Sequence, residues 1–357
     1  MLIFDCLKKS VSNLSVIRDF YNSYRKNILM AGKIKICVVR TDRLGDMVLT
    51  LPMCKALKDN CPNSEVSIIA RRYVKPLLEN CPVIDNVFFI DDYENGIKEI
   101  FKKNIFDVAY FPRPRLNECF SAYMNRIPLR VGTAYRYYSL LFNHKVYDHR
   151  KTAEYHEAEY NTRLVASVLK KDVRTELVKP FINNAAKEKV NNILNYYNID
   201  KEIIIIHPGS GGSAFNWKPE NFGEVSNILN TATNYNIIIT GIKEEFEICE
   251  KVTKYCPGSI NLCGKFDLWE MLALISLSKL LLANSTGVLH IAAALDIPVV
   301  GIYPNSPHLS PKRWGPYSAK SRVVCPPDNE NENERDNMNS IPIMNVVNNS
   351  LELLNLI

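Results

Sequence analysis

Short β-branched runs alternate with helix-period segments along most of this sequence. Lys33-Ile34-Lys35-Ile36-Cys37-Val38-Val39-Arg40 reads as a buried strand, and a short loop from Thr41 to Gly45 leads into a helix beginning near Asp46. Strand-like runs follow at Val66–Ala70, Val87–Ile90 and Asp107–Phe111, with helical stretches near Val74–Asn80 and Asn95–Lys103 between them. Apolar strands separated by helices imply parallel pairing with crossover helices.

The pattern then lapses and restarts. Residues 112–150 are less regular and locally basic, with Arg113, Arg115, Arg126, Arg130, Arg136, Lys145 and Arg150 among Tyr135, Tyr137 and Tyr138. A helix is expected over Ala153–Lys170. The second array has strands at Ile203–Ile206, Asn236–Thr240, Ser259–Leu262, Leu280–Ala283 and Val299–Ile302. Its helices are expected at Pro219–Leu229, Glu244–Tyr255, Leu268–Ser276 and Ser285–Leu295. Two βα arrays in 357 residues describe an α/β protein of two doubly wound domains facing each other. We place the first domain at residues 33–178 and the second at 179–325. A polar Asn/Glu-rich loop is expected over 326–340 and a closing helix over 341–357.

Residues 1–32 form an extension in which Leu7, Val11, Leu14, Ile17, Tyr21, Tyr24 and Ile28 recur at helical spacing, punctuated by Lys8, Lys9, Arg18, Arg25 and Lys26. Such a helix packs on the first domain or lies on an anionic membrane surface. Lys plus Arg exceed Asp plus Glu by 44 − 38 = 6. That mild excess permits an anionic partner without the dense basic stripe of a nucleic-acid binder. The ten cysteines form no CxxC pair, and several sit in apolar runs, which points to a reducing cytoplasm without a disulfide framework. The chain shows neither a membrane-spanning run nor a signal-peptide pattern, so a cytoplasmic protein is expected, with peripheral contact to the inner membrane face as the further option.

Three segments carry chemistry. His207-Pro208-Gly209-Ser210-Gly211-Gly212-Ser213 directly follows an apolar strand, and its small residues let backbone amides approach a phosphate or ribose closely. Ser285-Thr286-Gly287 opens a helix, where free amides and the positive end of the helix dipole make an anion site. His290 falls one turn inside on the same face. In the first array, Asp46 stands at the carboxyl edge of the sheet, where such folds place ligands, although an acidic residue there also stabilises a helix start. There is no GxGxxG, no P-loop and no metal-binding carboxylate pair after a strand. Asp91-Asp92 comes nearest and reads as a loop charge pair.

Taken together, LGDMVLTLP (44–52), HPGSGGSAFNW (207–217) and NSTGVLHIAAALDIPVVGIYP (284–304), with Gly264-Lys265 and Arg313-Trp314-Gly315-Pro316-Tyr317, resemble glycosyltransferase family 9, the heptosyltransferases of lipopolysaccharide core assembly. The likeness runs over about residues 33–323. It implies a GT-B fold of two Rossmann-like domains and metal-independent inverting transfer from a nucleotide diphosphate sugar, ADP-heptose-like, to a lipopolysaccharide or lipooligosaccharide core. The nucleotide-sugar is a substrate, so no cofactor is implied. The family's general base falls on Asp46 and its phosphate-binding Thr-Gly-x-x-His on Thr286, Gly287 and His290. Around these we expect His207, Gly209, Ser210, Gly211, Gly212, Ser213, Lys218, Gly264 and Ser285 at the donor.

Arg43, Arg71, Arg72, Arg113, Arg115 and Arg136 are expected at an anionic glycolipid acceptor, because arginine suits phosphate and carboxylate geometry. Two positions depart from the family pattern. Phe215 stands where a basic residue usually precedes the tryptophan, and Ser285 where an acidic one usually precedes Thr-Gly. The competing expectations are another GT-B donor, a nucleotide-sugar 2-epimerase, and a non-catalytic carbohydrate-binding scaffold.

Overall fold

The computed structural model describes residues 33–212, 215–306, 309–327 and 337–356. The proposed N-terminal helix, Ser213 and most of the Asn/Glu-rich loop lie outside these residues.

Within them the first array builds strands β1 (Ile34–Val39), β2 (Ser64–Ala70), β3 (Asn86–Phe89), β4 (Val108–Phe111), β5 (Leu129–Thr133) and β6 (His144–Val146). The second builds β7 (Ile203–His207), β8 (Asn236–Ile239), β9 (Ile260–Asn261), β10 (Ser278–Asn284), β11 (Val299–Ile302) and β12 (Ser321–Val324). They form two six-stranded sheets in the orders β3-β2-β1-β4-β5-β6 and β12-β11-β10-β7-β8-β9. The ladders are parallel, with Ile36 opposite both Val66 and Val108, and Ile205 opposite both Leu281 and Ile238.

Helices cover both faces of each sheet, which is why the central strands are apolar along their length. Cys37, Val38 and Val39 in β1 and Ile204, Ile205 and Ile206 in β7 have no exposed surface. One apolar cluster runs through both halves, joining Met47 and Val48 to Val288 and Leu289. The other sheet faces close over separate clusters, and Met338, Ile341, Val346 and Val347 carry the C-terminal helix Ile343–Leu353 onto the second sheet.

Several boundaries differ from the sequence expectation. The helix expected from Asp46 is two. Leu44–Val48 ends where Thr50 turns its hydroxyl onto the Asp46 carbonyl at 2.7 Å, and Leu51–Asn60 restarts with Pro52 in its first turn, where a missing amide costs nothing. Residues 112–150 hold the helix Leu116–Met124 and strands β5 and β6, whose exposed aromatic and basic side chains hide the usual amphipathic pattern. A further helix, Asn184–Tyr196, precedes β7 with just Ala186, Val190 and Leu194 buried. The helix placed at Ser285–Leu295 begins at Gly287, with Thr286 at its cap.

In both sheets the strand order reverses beside the first strand, between β1 and β4 and between β7 and β10. Crevices outside the carboxyl ends of strands at such points are where open α/β sheets bind ligands. The chain leaves β1 toward Asp46, β4 toward Arg113, β7 toward the glycine loop and β10 toward Thr286.

Candidate active site

On the first side, the helix Leu44–Val48 brings Asp46 to the cleft almost fully buried. A bare carboxylate there would be costly, and Arg40, itself 1% exposed, supplies the counter-charge. Its guanidinium donates to the Asp46 carboxylate and lies 2.7 Å from Asp42 and 3.9 Å from Glu157. Burial pushes the Asp46 carboxyl above its ordinary range. Arg40 pulls it back, while Asp42 and Glu157 push it further up. Arg113 closes the group from outside, 3.0 Å from Asp42 with about half its side chain exposed.

On the second side, β7 delivers His207 and then the glycine loop. The buried Glu245 accepts from the Gly211 amide at 2.9 Å and from the Ile242 amide at 3.0 Å. A Cβ at Gly209 would lie 2.1 Å from the Glu245 carboxyl, so only glycine lets the loop close on it. Asn284, fully buried at the end of β10, ties the loop to the neighbouring strand by donating to the Pro208 carbonyl at 2.6 Å and accepting from the Trp217 amide at 3.0 Å. Thr286 caps the helix Gly287–Ala294 without a side-chain capping bond, so its hydroxyl is not committed to the helix's own amides.

The two helix starts nearly touch. A Cβ at Gly45 would lie 2.7 Å from His290 Cδ2, and one at Gly287 would lie 2.9 Å from Leu44. This approach puts Asp46, Arg43, Arg113, Ser285, Thr286, Gly287 and His290 around one cavity of about 330 Å³. A second cavity, of about 510 Å³, is lined by His207, Ser210, Gly211, Glu245, Phe266 and Met271. Arg43, Gly45, Thr286 and Gly287 line both. A two-part ligand bridging the cavities would therefore cross at the helix start.

His290 is buried, and its Nδ1 has no hydrogen-bond partner among the described residues. Burial and the neighbouring His156 lower its pKa to about 3, so it enters the site as a neutral imidazole able to donate from one nitrogen. Burial also lowers His207, whose Nδ1 lies 3.0 Å from the Thr240 hydroxyl.

The other described residues of the expected set line neither cavity. Arg71 and Arg72 pair with Asp91 and Asp92 beside the first sheet, with Arg71 Nη1 3.4 Å from Asp91. Arg115 and Arg136 are exposed and line neither cavity. Lys218 is an exposed cap of the helix Pro219–Ala232, and Gly212 and Gly264 serve as positive-φ turns. Arg40, Glu157, Glu245 and Asn284 are further members of the site: Glu157, Glu245 and Asn284 act through partners distant in the chain, whereas Arg40 pairs locally with Asp42 and Asp46 from the end of a buried strand, where it reads as a flanking charge.

The family model of glycosyltransferase family 9 (heptosyltransferase) matches residues 99–343. The chain belongs to this family. A Haemophilus influenzae protein named as a glycosyltransferase is 29% identical over 316 residues, covering 82% of this chain and 89% of its own length. Lipopolysaccharide heptosyltransferase 2 of Salmonella typhimurium is 24% identical over 313 residues, covering 82% and 88%. The solved structure of Escherichia coli ADP-heptose lps heptosyltransferase II superposes with a TM-score of 0.73 at 22% identity, covering 90% of this chain and 98% of that one. The fold is thus the two-sheet GT-B architecture expected from the sequence, and the chain is a glycosyltransferase.

In this family member the halves are latched beside the cleft. Glu157 starts the helix Glu157–Leu169 and takes Arg313 from the other half at 2.9 and 3.0 Å, together with Arg150. Burial acts to raise the Glu157 pKa, but Arg150, Arg313 and Arg40 outweigh it and hold the carboxylate below its ordinary range. His156 Nε2 lies 2.8 Å from the Gly315 carbonyl, and Trp314 in the same segment lines the smaller cavity. Among the described residues no cluster of three or more His, Cys, Asp or Glu side chains is placed to hold a metal ion, and no helix is long and apolar enough to cross a membrane.

Proposed function

We propose that this enzyme moves a heptose or related sugar from a nucleoside diphosphate sugar to a lipopolysaccharide core or similar glycolipid, inverting the anomeric carbon. The observation that carries the proposal is the shared cavity, in which a buried carboxylate faces a helix start across the line where two glycines let the halves meet. The named activities of the Salmonella and Escherichia relatives support the sugar and acceptor class.

In this reading Asp46 accepts the proton of the acceptor hydroxyl as that oxygen bonds to the anomeric carbon, and the bond from that carbon to the diphosphate oxygen breaks. Burial raises the Asp46 pKa, which makes it a stronger base than an exposed carboxylate, and Arg40 holds it in place. The departing diphosphate gathers charge at Thr286, Gly287 and His290, where helix amides and a neutral imidazole can donate to it. Among the described Lys and Arg side chains Arg43 alone lines both cavities, a role distinct from the acceptor contact expected of it. The nucleoside occupies the larger cavity among His207, Ser210, Gly211 and Glu245. Residues 33–178 and 179–325 then act as acceptor and donor units of an enzyme working at the cytoplasmic face of the membrane.

The test is a panel of ADP-, GDP- and UDP-linked sugars, each with and without a lipopolysaccharide core acceptor, followed by the anomeric configuration of the product. Transfer with inversion is expected. Conversion of a donor without acceptor would mean an epimerase, and no thermal stabilisation by any nucleoside diphosphate would leave a binding scaffold.

A further inference from the structure

The helix Leu116–Met124 leaves one face largely open to solvent, with the Arg130 guanidinium 5.5 Å above the Tyr123 ring. Cys119, Ala122, Ser121 and Glu118 turn inward, while Leu116, Phe120, Tyr123 and Met124 stand 44 to 60% exposed on the opposite stripe. The turn at Tyr137–Leu141 packs beside this helix, anchored by the Tyr138 hydroxyl donating to the Pro114 carbonyl at 2.8 Å, and adds Tyr137 and Leu140 at 78 and 74% exposure. Six large apolar or aromatic side chains on two adjoining elements far exceed the scattered exposure that needs no explanation.

The segment that carries this face is charged almost entirely with one sign. From Arg113 to Tyr147 the chain carries Arg113, Arg115, Arg126, Arg130, Arg136 and Lys145 against a single acid, Glu118. Glu118 is buried and accepts from the Thr41 hydroxyl, so it offers no negative charge to the surface. Arg115, Arg126 and Arg136 are exposed and form no salt bridge among the described residues. Aromatic and aliphatic side chains ringed by unpaired arginines match an anionic bilayer surface, where apolar groups enter the headgroup boundary and cations meet lipid phosphates.

We infer that this face docks the enzyme on an anionic lipid bilayer. The position suits the purpose: Arg113, which lines the catalytic cavity, lies three residues before Leu116, so docking would hold the acceptor side of the cleft against the membrane. That purpose rests on the acceptor being lipid-linked. The chain's own residues 1–32 are the weaker occupant, because Lys8, Lys9, Arg18, Arg25 and Lys26 outnumber Asp5 and Asp19 and would bring positive charge to a positive face.

The test is flotation of the full-length protein with vesicles of phosphatidylcholine alone or with one quarter phosphatidylglycerol. Wild type should float with the anionic vesicles and lose most of that binding at 0.5 M salt, where exposed charges are screened. Phe120→Glu/Met124→Glu should weaken partitioning by more than about 25-fold, because it adds two negative charges and removes apolar contact as well. Arg126→Glu, an exposed change that preserves the stripe, should weaken it about 25-fold, each lost or reversed charge counting about fivefold.

An unchanged melting temperature excludes misfolding. Wild type that fails to float, or variants that float within about twofold of wild type, would overturn the inference; the latter result would assign binding to residues 1–32 or another face. A dimer that dissociates in Phe120→Glu/Met124→Glu without any vesicle binding would overturn it in favour of a second copy of the chain. Flotation uses neither donor nor acceptor, so its outcome is independent of the proposed reaction.

Discussion

The two lips of the cleft solve opposite problems with opposite chemistry. The first half presents a buried carboxylate and surrounds it with charge: Arg40 and Arg150, with Arg313 reaching over from the second half, are interleaved with Asp42, Asp46 and Glu157. The second half, which on our reading receives two negative charges, presents neutral groups at that point: Thr286, Gly287, Ser285 and an uncharged His290. A group that must change protonation needs fixed counter-charges to hold its geometry and set its pKa. A group that must receive charge as a bond breaks is better met by oriented dipoles, which need little reorganisation when the charge arrives. Anion binding therefore need not show as basic sequence.

Asp46→Asn is the largest expected break in that contrast. It keeps the shape, removes the proton acceptor, and should lower transfer on the order of 10³-fold, within the span of general-base catalysis. Donor affinity, read by calorimetry, should stay within about twofold, because the donor meets the neutral lip. Near-wild-type turnover would remove Asp46 as the base. The pH profile has a defined sign as well. The base works deprotonated and burial raises its pKa, so the acid limb of kcat should lie above the ordinary 3.8 of an aspartate and move when Arg40 is changed.

Glu157→Gln tests the charged lip from the side of stability. It leaves Arg150 and Arg313 facing each other without their shared carboxylate, and breaking a buried pair this way costs about 3–5 kcal/mol. Urea unfolding should show the loss at pH 7 and progressively less of it as pH falls below the ordinary 4.5 of a glutamate. The unfolded carboxylate binds protons first there, and the wild type forfeits the whole contribution once pH falls below the depressed pKa of the folded group. A change under 1 kcal/mol at pH 7 would mean the latch is ornamental.

Much of the fold was legible because buried parallel strands are written as unbroken apolar runs, as in Ile203–Ile206, and helix starts carry Ser, Thr and Gly, as at Ser285–Gly287. Asp46, Thr286, Gly287 and His290, which line one cavity, stand out in the sequence for a related reason: each lies in the loop or first helical turns after a buried strand. What stayed hidden is non-local. Glu157 meets Arg313 at a separation of 156 residues, and Glu245 meets Gly211 at 34. No spacing rule connects such pairs. The helix Leu116–Met124 was hidden for another reason, since its outward stripe is as apolar as its inward one and erases the periodicity.

On the neutral lip, His290→Ala should cost on the order of 10²-fold in kcat, the loss of one aimed donor. His290→Asn, which can still donate, should recover part of it. Because the imidazole is held neutral down to about pH 3, no inflection near 6.5 should disappear in either variant. An inflection that did disappear would show that the site uses a cation after all.

The smallest effect asks where the neutral lip finds its one cation. Lys218 follows the tryptophan of the glycine loop and is the obvious replacement for the basic residue missing at Phe215, yet it is exposed and lines neither cavity. Arg43 comes from the opposite lip and lines both. If the diphosphate crosses at Thr286 and Gly287, Arg43→Ala should raise the donor KM by about tenfold, as loss of one charge-assisted hydrogen bond would. Lys218→Ala should leave it within about twofold. The reverse ranking would return the counter-charge to the donor half and restore a symmetry between the two lips that their geometry does not display.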